Sequence, residues 1–263
     1  MIEFRDKTAL ITGAGSGIGE ALAYQFAIKG CHVILTGRRV DRLEGVKAKC
    51  EGLGVKGYTY YLDLEDYSSI DNLANYIDIE KISPDFIVLN AGISQRALTL
   101  DSDFSVDVKI MNTNYLGSVY LIKSLKKHLL EGPSTHIVVN TSISGIFGFP
   151  LRSAYCASKR ALFGFFESLE LEYPNIRVTF IIPGRINTEI SRSAIMGDGT
   201  KFSEMDPGQA NGMDVIKCAK IAIKAISKGK HKKLIGGKEL LMVYIYKYLT
   251  PLYYILARKV SAH

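Results

Sequence analysis

Lys7-Thr-Ala-Leu-Ile-Thr12, followed at once by Gly13-Ala-Gly-Ser16-Gly17-Ile18-Gly19, is the stretch that decides the fold. The first part is a short apolar run with the pattern of a buried strand, and Glu20 to Ile28 continues as a helix. A glycine-rich turn between a strand and a helix lets the backbone approach a diphosphate. The free amides and positive dipole end of the helix then stabilise the negative charge. This turn has both the strand before it and the helix after it that such a cradle needs.

Downstream the same alternation repeats. Cys31 to Thr36 reads as a second strand and ends in Gly37-Arg38-Arg39. A fold that binds NAD usually places an acid here to accept the ribose 2′-hydroxyl, whereas a cation suits a 2′-phosphate. Two arginines and no acid predict NADP, since Asp41 lies too far along. A helix over about Val40 to Leu53 and a strand over Gly57 to Leu62 come next, then Asp63-Leu64. Asp63 either accepts from an adenine amine or caps the following helix, which is expected around Ser69 to Ile79.

Asp85 to Asn90 reads as a fourth strand, and the small residues of Asn90-Ala91-Gly92 leave room for a flat ring over the sheet edge. A helical pattern runs from about Phe104 to Leu130 and changes character at Asn114-Tyr-Leu-Gly117. Asn114 sits among apolar neighbours, where a carboxamide is unfavourable unless bonded. It is either a surface residue or a bonded one that holds a water near Lys159. His136 to Ser142 and Ile176 to Ile182 read as two more strands, the second stopping at Pro183-Gly184-Arg-Ile186-Asn-Thr188. Residues 189–212 are polar and irregular, longer than ordinary connections, and read as a lid or binding loop. A helix (Asp214 to Ser227) and a short strand (Lys232 to Ile235) complete the series. The expected architecture is α/β, a doubly wound parallel sheet in one domain with ligands at the carboxyl ends of the strands.

The chemistry is concentrated between Ser142 and Lys159. Tyr155 and Lys159 stand four apart in a segment, Ser153 to Tyr173, whose Leu162, Phe165, Phe166 and Leu169 recur at helical spacing. Phenol and ammonium therefore share a helix face. A cation beside a tyrosine favours the phenolate and makes the group a usable acid or base. The chain has fifteen tyrosines, so the pair alone could be chance. Ser142, at the end of a strand, supplies the hydroxyl that can donate to a carbonyl oxygen as it gains charge.

At 263 residues, 47% hydrophobic and 22% charged, the chain can bury a sizeable core. Met1 to Lys7 carries no apolar h-region, so no secretory signal is expected. Cys31, Cys50, Cys156 and Cys218 lack metal-ligand spacing and read as free thiols in a cytoplasmic protein with no metal site. The net charge is +7, with lysines clustered at Lys126-Lys127-His128 and Lys228 to Lys233. Each cluster is expected to follow a helix and oppose its negative dipole end; an anionic ligand or membrane surface is the other reading. No nucleic-acid module is visible.

Residues 239–263 form a hydrophobic, basic tail attached to a catalytic body of residues 1–238. Leu240 to Ala257 holds one charge, Lys247, one proline, Pro251, and five tyrosines. That is short for a spanning helix. With Lys238, Arg258 and Lys259 at its flanks, it suits a helix pair in a membrane interface, or else a cover over the substrate pocket or a partner subunit.

Thr12 to Gly19, Asn90-Ala91-Gly92, Asn114, Ser142, Tyr155 with Lys159, and Pro183-Gly184 with Thr188, in this order and spacing, resemble the short-chain dehydrogenase/reductase family in its compact, Rossmann-like form. Leu89 stands where the family often has Asn. The resemblance implies that Tyr155 protonates a carbonyl oxygen as nicotinamide delivers hydride to carbon. Lys159 would lower the Tyr155 pKa and bond the nicotinamide ribose, Ser142 would steady the oxyanion, and Asn114 would hold a relay water. It also implies a cofactor surface. Gly13, Ser16, Gly17, Ile18 and Gly19 would take the diphosphate, Arg38, Arg39, Asp63 and Leu64 the adenosine end. Asn90, Ala91, Gly92, Tyr155, Lys159, Pro183, Gly184, Ile186 and Thr188 would take the nicotinamide end. Homodimers or homotetramers are common in the family.

The region from Thr188 to Asp206 and the tail are similar to the member-seven branch of the dehydrogenase/reductase proteins, which implies a bulky lipophilic ketone or aldehyde, such as a lipid, steroid or retinoid. The expected activity is NADP(H)-dependent carbonyl reduction, with peripheral membrane contact through the tail. The alternative is a non-catalytic NADP-binding scaffold or sensor docked to a membrane or partner.

Overall fold

The computed structural model describes residues 1–132 and 134–259. The final four residues of the tail segment lie outside the described residues. The chain runs β1 (Thr8–Thr12), α1 (Gly17–Ile28), β2 (His32–Gly37), α2 (Val40–Glu51), β3 (Gly57–Tyr61), α3 (Tyr67–Ile79) and β4 (Phe86–Leu89). Then come β5 (Gln95–Arg96), α4 (Phe104–Met111), a π-helical turn at Asn112–Leu116, α5 (Gly117–Ser124), α6 (Lys126–Glu131) and β6 (Thr135–Asn140). The second half holds α7 (Ser153–Glu172), β7 (Ile176–Pro183), β8 (Ile195–Met196), α8 (Pro207–Ala210), α9 (Val215–Ser227), β9 (Lys232–Ile235), α10 (Leu241–Tyr248) and α11 (Thr250–Lys259).

Seven strands form one parallel sheet in the order β3-β2-β1-β4-β6-β7-β9. Strand residues alternate between two cores because successive side chains point to opposite faces. Ala9, Ile11, Val33, Leu35 and Val88 face the core built with α1 and α9. Leu10, Ile34, Ile87 and Leu89 face the core built with α3, α5 and α7. Helix α9 shows why such helices form: Cys218, Ala219, Ala222, Ile223 and Ile226 are buried along one stripe while Lys217, Lys220 and Lys224 face water. The order reverses between β1 and β4, and the turns after these strands open the crevice where a doubly wound sheet takes its ligand.

Several expectations are refined. Asp66, not Asp63, caps α3 by accepting from the Ser68 amide. The pattern over Phe104 to Leu130 divides into three α-helices and the π-helical turn that contains Asn114. Lys126 to His128 follows α5 but opens α6, so Lys126 and Lys127 meet a positive helix end as well as a negative one, and His128 Nε2 lies 2.8 Å from Asp78. The 189–212 loop carries β8, which pairs in parallel with β5, and the short α8. The tail is a helix pair, α10 and α11, folded onto the body. Val243 and Tyr253 are buried there, and the Tyr253 hydroxyl donates to the Gly148 carbonyl. No helix among the described residues is long and apolar enough to cross a membrane.

Candidate active site

Three strand ends are tied together before any catalytic group is placed. The Thr12 hydroxyl accepts from the amides of Asn90 (2.9 Å) and Ala91 (3.0 Å) and donates to the Val88 carbonyl. Asn90 Nδ2 donates to the Thr12 carbonyl (3.0 Å), and Asn140 Nδ2 donates to Asn90 Oδ1 (2.8 Å). The carboxyl ends of β1, β4 and β6 are therefore cross-bonded to one another. Gly13 turns at φ +65°, and a Cβ on Gly19 would lie 2.3 Å from the Gly13 carbonyl oxygen. The turn and the start of α1 can approach this closely only as glycine.

The adenosine end is marked by cations. Arg39 donates to the Ser16 hydroxyl at 3.2 Å, which brings the end of β2 against the glycine-rich turn. Arg38 lies 3.9 Å from Asp63, whose other oxygen accepts from the Glu65 amide. The Arg42 stem packs at Gly15, a third arginine near the turn that the sequence reading did not single out. Leu64 is buried in the core against Gly117, and Ile18 packs partly buried at the start of α1. Thr188 borders Gly17, so the segment after β7 folds back onto the cradle. Ile186 is buried and bridges to Met213. Gly184 faces the Glu239 carboxylate, which accepts from the Arg185 and Gly237 amides.

Helix α7 presents Tyr155 and Lys159, both buried, on one face as their spacing requires. Lys159 Nζ donates to the Asn140 carbonyl at 2.9 Å and sits 5.9 Å from the centre of the Tyr155 ring. Burial pushes the ammonium down to a pKa of about 8. Burial also raises the Tyr155 phenol; the Arg152 guanidinium, the Ser142 hydroxyl and Arg96 pull it back down. Arg152 is a second cation near the phenol, besides Lys159, that the sequence reading did not single out. Ser142, extended at the end of the β6 segment, accepts from the Ser144 amide and donates to the Pro183 carbonyl.

Asn114 is 1% exposed, which settles the choice left open above in favour of a bonded residue. Its Oδ1 accepts from the Ile93 amide (2.8 Å), and its Nδ2 donates to the Ile93 carbonyl and to Ser158 Oγ, both at 3.0 Å. Ser158 in turn donates to the Tyr155 carbonyl at 2.8 Å. The π-helical turn widens the helix here and lets a carboxamide reach both the chain after β4 and helix α7. Gly92 lies between Asn114 and Lys159: a Cβ there would be 3.0 Å from Asn114 Oδ1 and 3.4 Å from Lys159 Nζ.

Beside Ser142 opens a cavity of about 270 Å³. Phe147, Phe149, Met242 and Tyr253 give it apolar walls, while Arg152, Arg185, Asp206 and Glu239 bring charge. The tail is thus part of the pocket wall. Ser142 and Arg152 line this cavity, and a buried phenol with a neighbouring hydroxyl and a buried ammonium can pass a proton to an oxygen atom and steady the charge that develops there.

The profile of the family described as "short chain dehydrogenase" matches residues 7–197. The chain is 37% identical to the Anopheles gambiae dehydrogenase/reductase SDR family protein 7-like over 94% of this chain and 80% of that protein. It is 36% identical to the human dehydrogenase/reductase SDR family member 7 over 94% of this chain and 75% of that protein. Among solved structures, a short-chain dehydrogenase/reductase from Burkholderia phymatum in complex with NAD superposes with a TM-score of 0.83 at 20% identity, covering 96% of both chains. One from Sphingobium yanoikuyae in complex with NADPH gives 0.77 at 22% identity, over 97% of this chain and 96% of that one. These two establish the likeness of fold. On the family profile and on relatives matched along nearly its whole length, the chain belongs to the short-chain dehydrogenase/reductase family of oxidoreductases.

Proposed function

We propose that the protein is an NADP(H)-dependent reductase of lipophilic ketones or aldehydes. The observation that carries this reading is the buried Tyr155 with Lys159 5.9 Å from its ring, near Ser142, which lines a cavity walled by Phe147, Phe149, Met242 and Tyr253. One structural neighbour is described with NADPH and another with NAD, so the choice of NADP rests on the arginines at the end of β2.

The residues fit a dinucleotide. The Gly13–Gly19 turn leaves no room for a Cβ at Gly19, and Arg39 is already bonded to the turn through Ser16. Arg38 and Arg39 at the end of β2 supply the cations that a 2′-phosphate calls for. Lys159 has one carbonyl partner at 2.9 Å and further protons to donate, which suits a ribose hydroxyl beside Gly92. When bound, the nicotinamide supplies the hydride.

The chain's own groups do the rest. The Ser142 hydroxyl donates to the substrate carbonyl oxygen and strengthens that bond as the oxygen becomes anionic. Tyr155 gives its phenolic proton to the same oxygen, so carbon gains hydride, oxygen gains a proton, and the alcohol is neutral. Lys159, with a pKa near 8, is positioned to favour the phenolate that remains and to help return its proton. Asn114 holds α7 to the chain after β4 through Ser158 and Ile93. The outer face of the tail, with Tyr244, Tyr248, Leu249, Leu252, Tyr254 and Ile255 exposed next to Arg258 and Lys259, is the surface we assign to peripheral contact with a lipid surface.

The test is NADPH oxidation with ketones graded by chain length. Turnover that rises with lipophilicity supports the reading; tight NADPH binding with no turnover on any of them favours the scaffold alternative.

A further inference from the structure

Two arginines and one carboxylate lie beside the catalytic tyrosine, and the proton-transfer steps above do not use them. Arg96 Nη2 and Arg152 Nη2 reach the same oxygen of Asp206, at 3.1 and 2.9 Å. The three residues come from distant parts of the chain: β5, the residue that opens α7, and the loop before α8. Arg96 is 6% exposed and also donates to Ser94 Oγ and the Gln95 carbonyl. Arg152 precedes Tyr155 by three residues, lines the cavity with Ser142, and stacks its guanidinium 5.2 Å over the Phe149 ring. Its buried Nε has no hydrogen-bond partner among the described residues.

Two cations share one anion here, which leaves one net positive charge in a corner where Arg96 is buried while Arg152 and Asp206 keep 20% and 17% of their side-chain surface exposed. Buried charges are ordinarily matched, because removing an uncompensated charge from water is costly. An excess charge kept next to the acid–base group points to a use. We infer that the Arg96–Asp206–Arg152 cluster is an electrostatic positioning element that offsets part of the cost of ionising the buried Tyr155 phenol, with Asp206 setting how much positive charge the phenol meets. The inference rests on Tyr155 being the proton donor of the reading above.

One other cation, Lys159, stands near the phenol, 5.9 Å from its ring centre. Lys159 is turned to the Asn140 carbonyl, Ser142 is neutral, and the buried Cys156 thiol is raised above its ordinary value by burial. Across the cavity Arg185 and Glu239 contribute one charge of each sign. Burial raises Tyr155, and Arg152 is the largest influence acting against it.

The cluster makes two substitutions act in opposite directions. Arg152→Gln removes a cation and leaves Arg96 and Asp206 matched, so the Tyr155 midpoint rises. Asp206→Asn frees both cations, so the midpoint falls. Each shift is expected to be about one pH unit. Arg152→Lys restores the charge and stays near the wild type. The readout is the tyrosine ¹³Cζ resonance of the full chain followed over pH, with Tyr155 assigned by its loss in Tyr155→Phe. The pH profile of turnover is recorded alongside. Opposite shifts with rescue by lysine support the inference. A midpoint unmoved by both substitutions, or moved the same way by both, overturns it. The resonance needs no turnover, so an inactive wild type counts against the reductase reading while the titration still decides the role of the cluster.

Discussion

The Lys159 ammonium donates to the carbonyl oxygen of Asn140 at 2.9 Å, and so anchors the catalytic helix to the end of β6. Its charge is therefore a property of the site's architecture as well as of its chemistry. Burial lowers its pKa to about 8, against an ordinary lysine value of 10.5. Between those two pH values the unfolded chain binds more protons than the folded one, so this group adds stability as pH rises through that window. Below the window the burial cost is in full force. Denaturant unfolding should show Lys159→Met losing that part of the pH dependence. A variant with an unchanged slope would mean that the ammonium is hydrated in the folded protein.

The same substitution should reduce turnover by about 100-fold or more, the range in which a missing proton-transfer group is felt. Cofactor binding should weaken as well, since a donor at the ribose is lost. Steady-state kinetics and a binding titration on one preparation separate the two effects.

Cofactor choice falls to the end of β2. Arg38→Asp should move the ratio of kcat/KM for NADPH over NADH toward NADH by about 10- to 100-fold, the worth of one hydrogen bond to a charged group. Because Arg38 faces Asp63 at 3.9 Å, the new carboxylate also meets an acid, and Arg38→Ala separates loss of a cation from that repulsion. A ratio unaffected by either variant would make the arginines bystanders.

The tail is predicted to contribute to stability through Tyr253. Its ring lies 5.3 Å from Phe147 and 5.0 Å from Tyr246, and its hydroxyl bonds the Gly148 carbonyl. Tyr253→Ala should cost about 3 kcal/mol by loss of a buried aromatic ring. Tyr253→Phe should cost about 1 kcal/mol by loss of a hydrogen bond. Chemical denaturation measures both. Equal costs would show that the ring is not packed.

Much of this molecule can be read locally. The apolar runs, the glycine-rich turn and the Tyr155–Lys159 spacing each follow from patterns a few residues long, and the seven strands of the main sheet appear at the expected places. What escapes such reading is made by distant partners. Strands β5 and β8 are two residues each and meet only because the 189–212 loop folds back. Arg96 and Asp206 are 110 positions apart. Asn140, whose amide and carbonyl serve Asn90 and Lys159, has no local signature beyond the end of an apolar run. The tail's composition suits a lipid surface or a protein surface alike, and Tyr253 on its buried side shows the protein contact.

The central claim is that Tyr155 donates the proton in an NADPH-dependent reduction. It is tested most directly by NADPH oxidation with a long-chain ketone, comparing wild type with Tyr155→Phe while cofactor affinity is followed by titration. The account predicts turnover in the wild type, its loss in the variant, and NADPH binding close to unchanged in both. A variant that keeps most of its rate would contradict it.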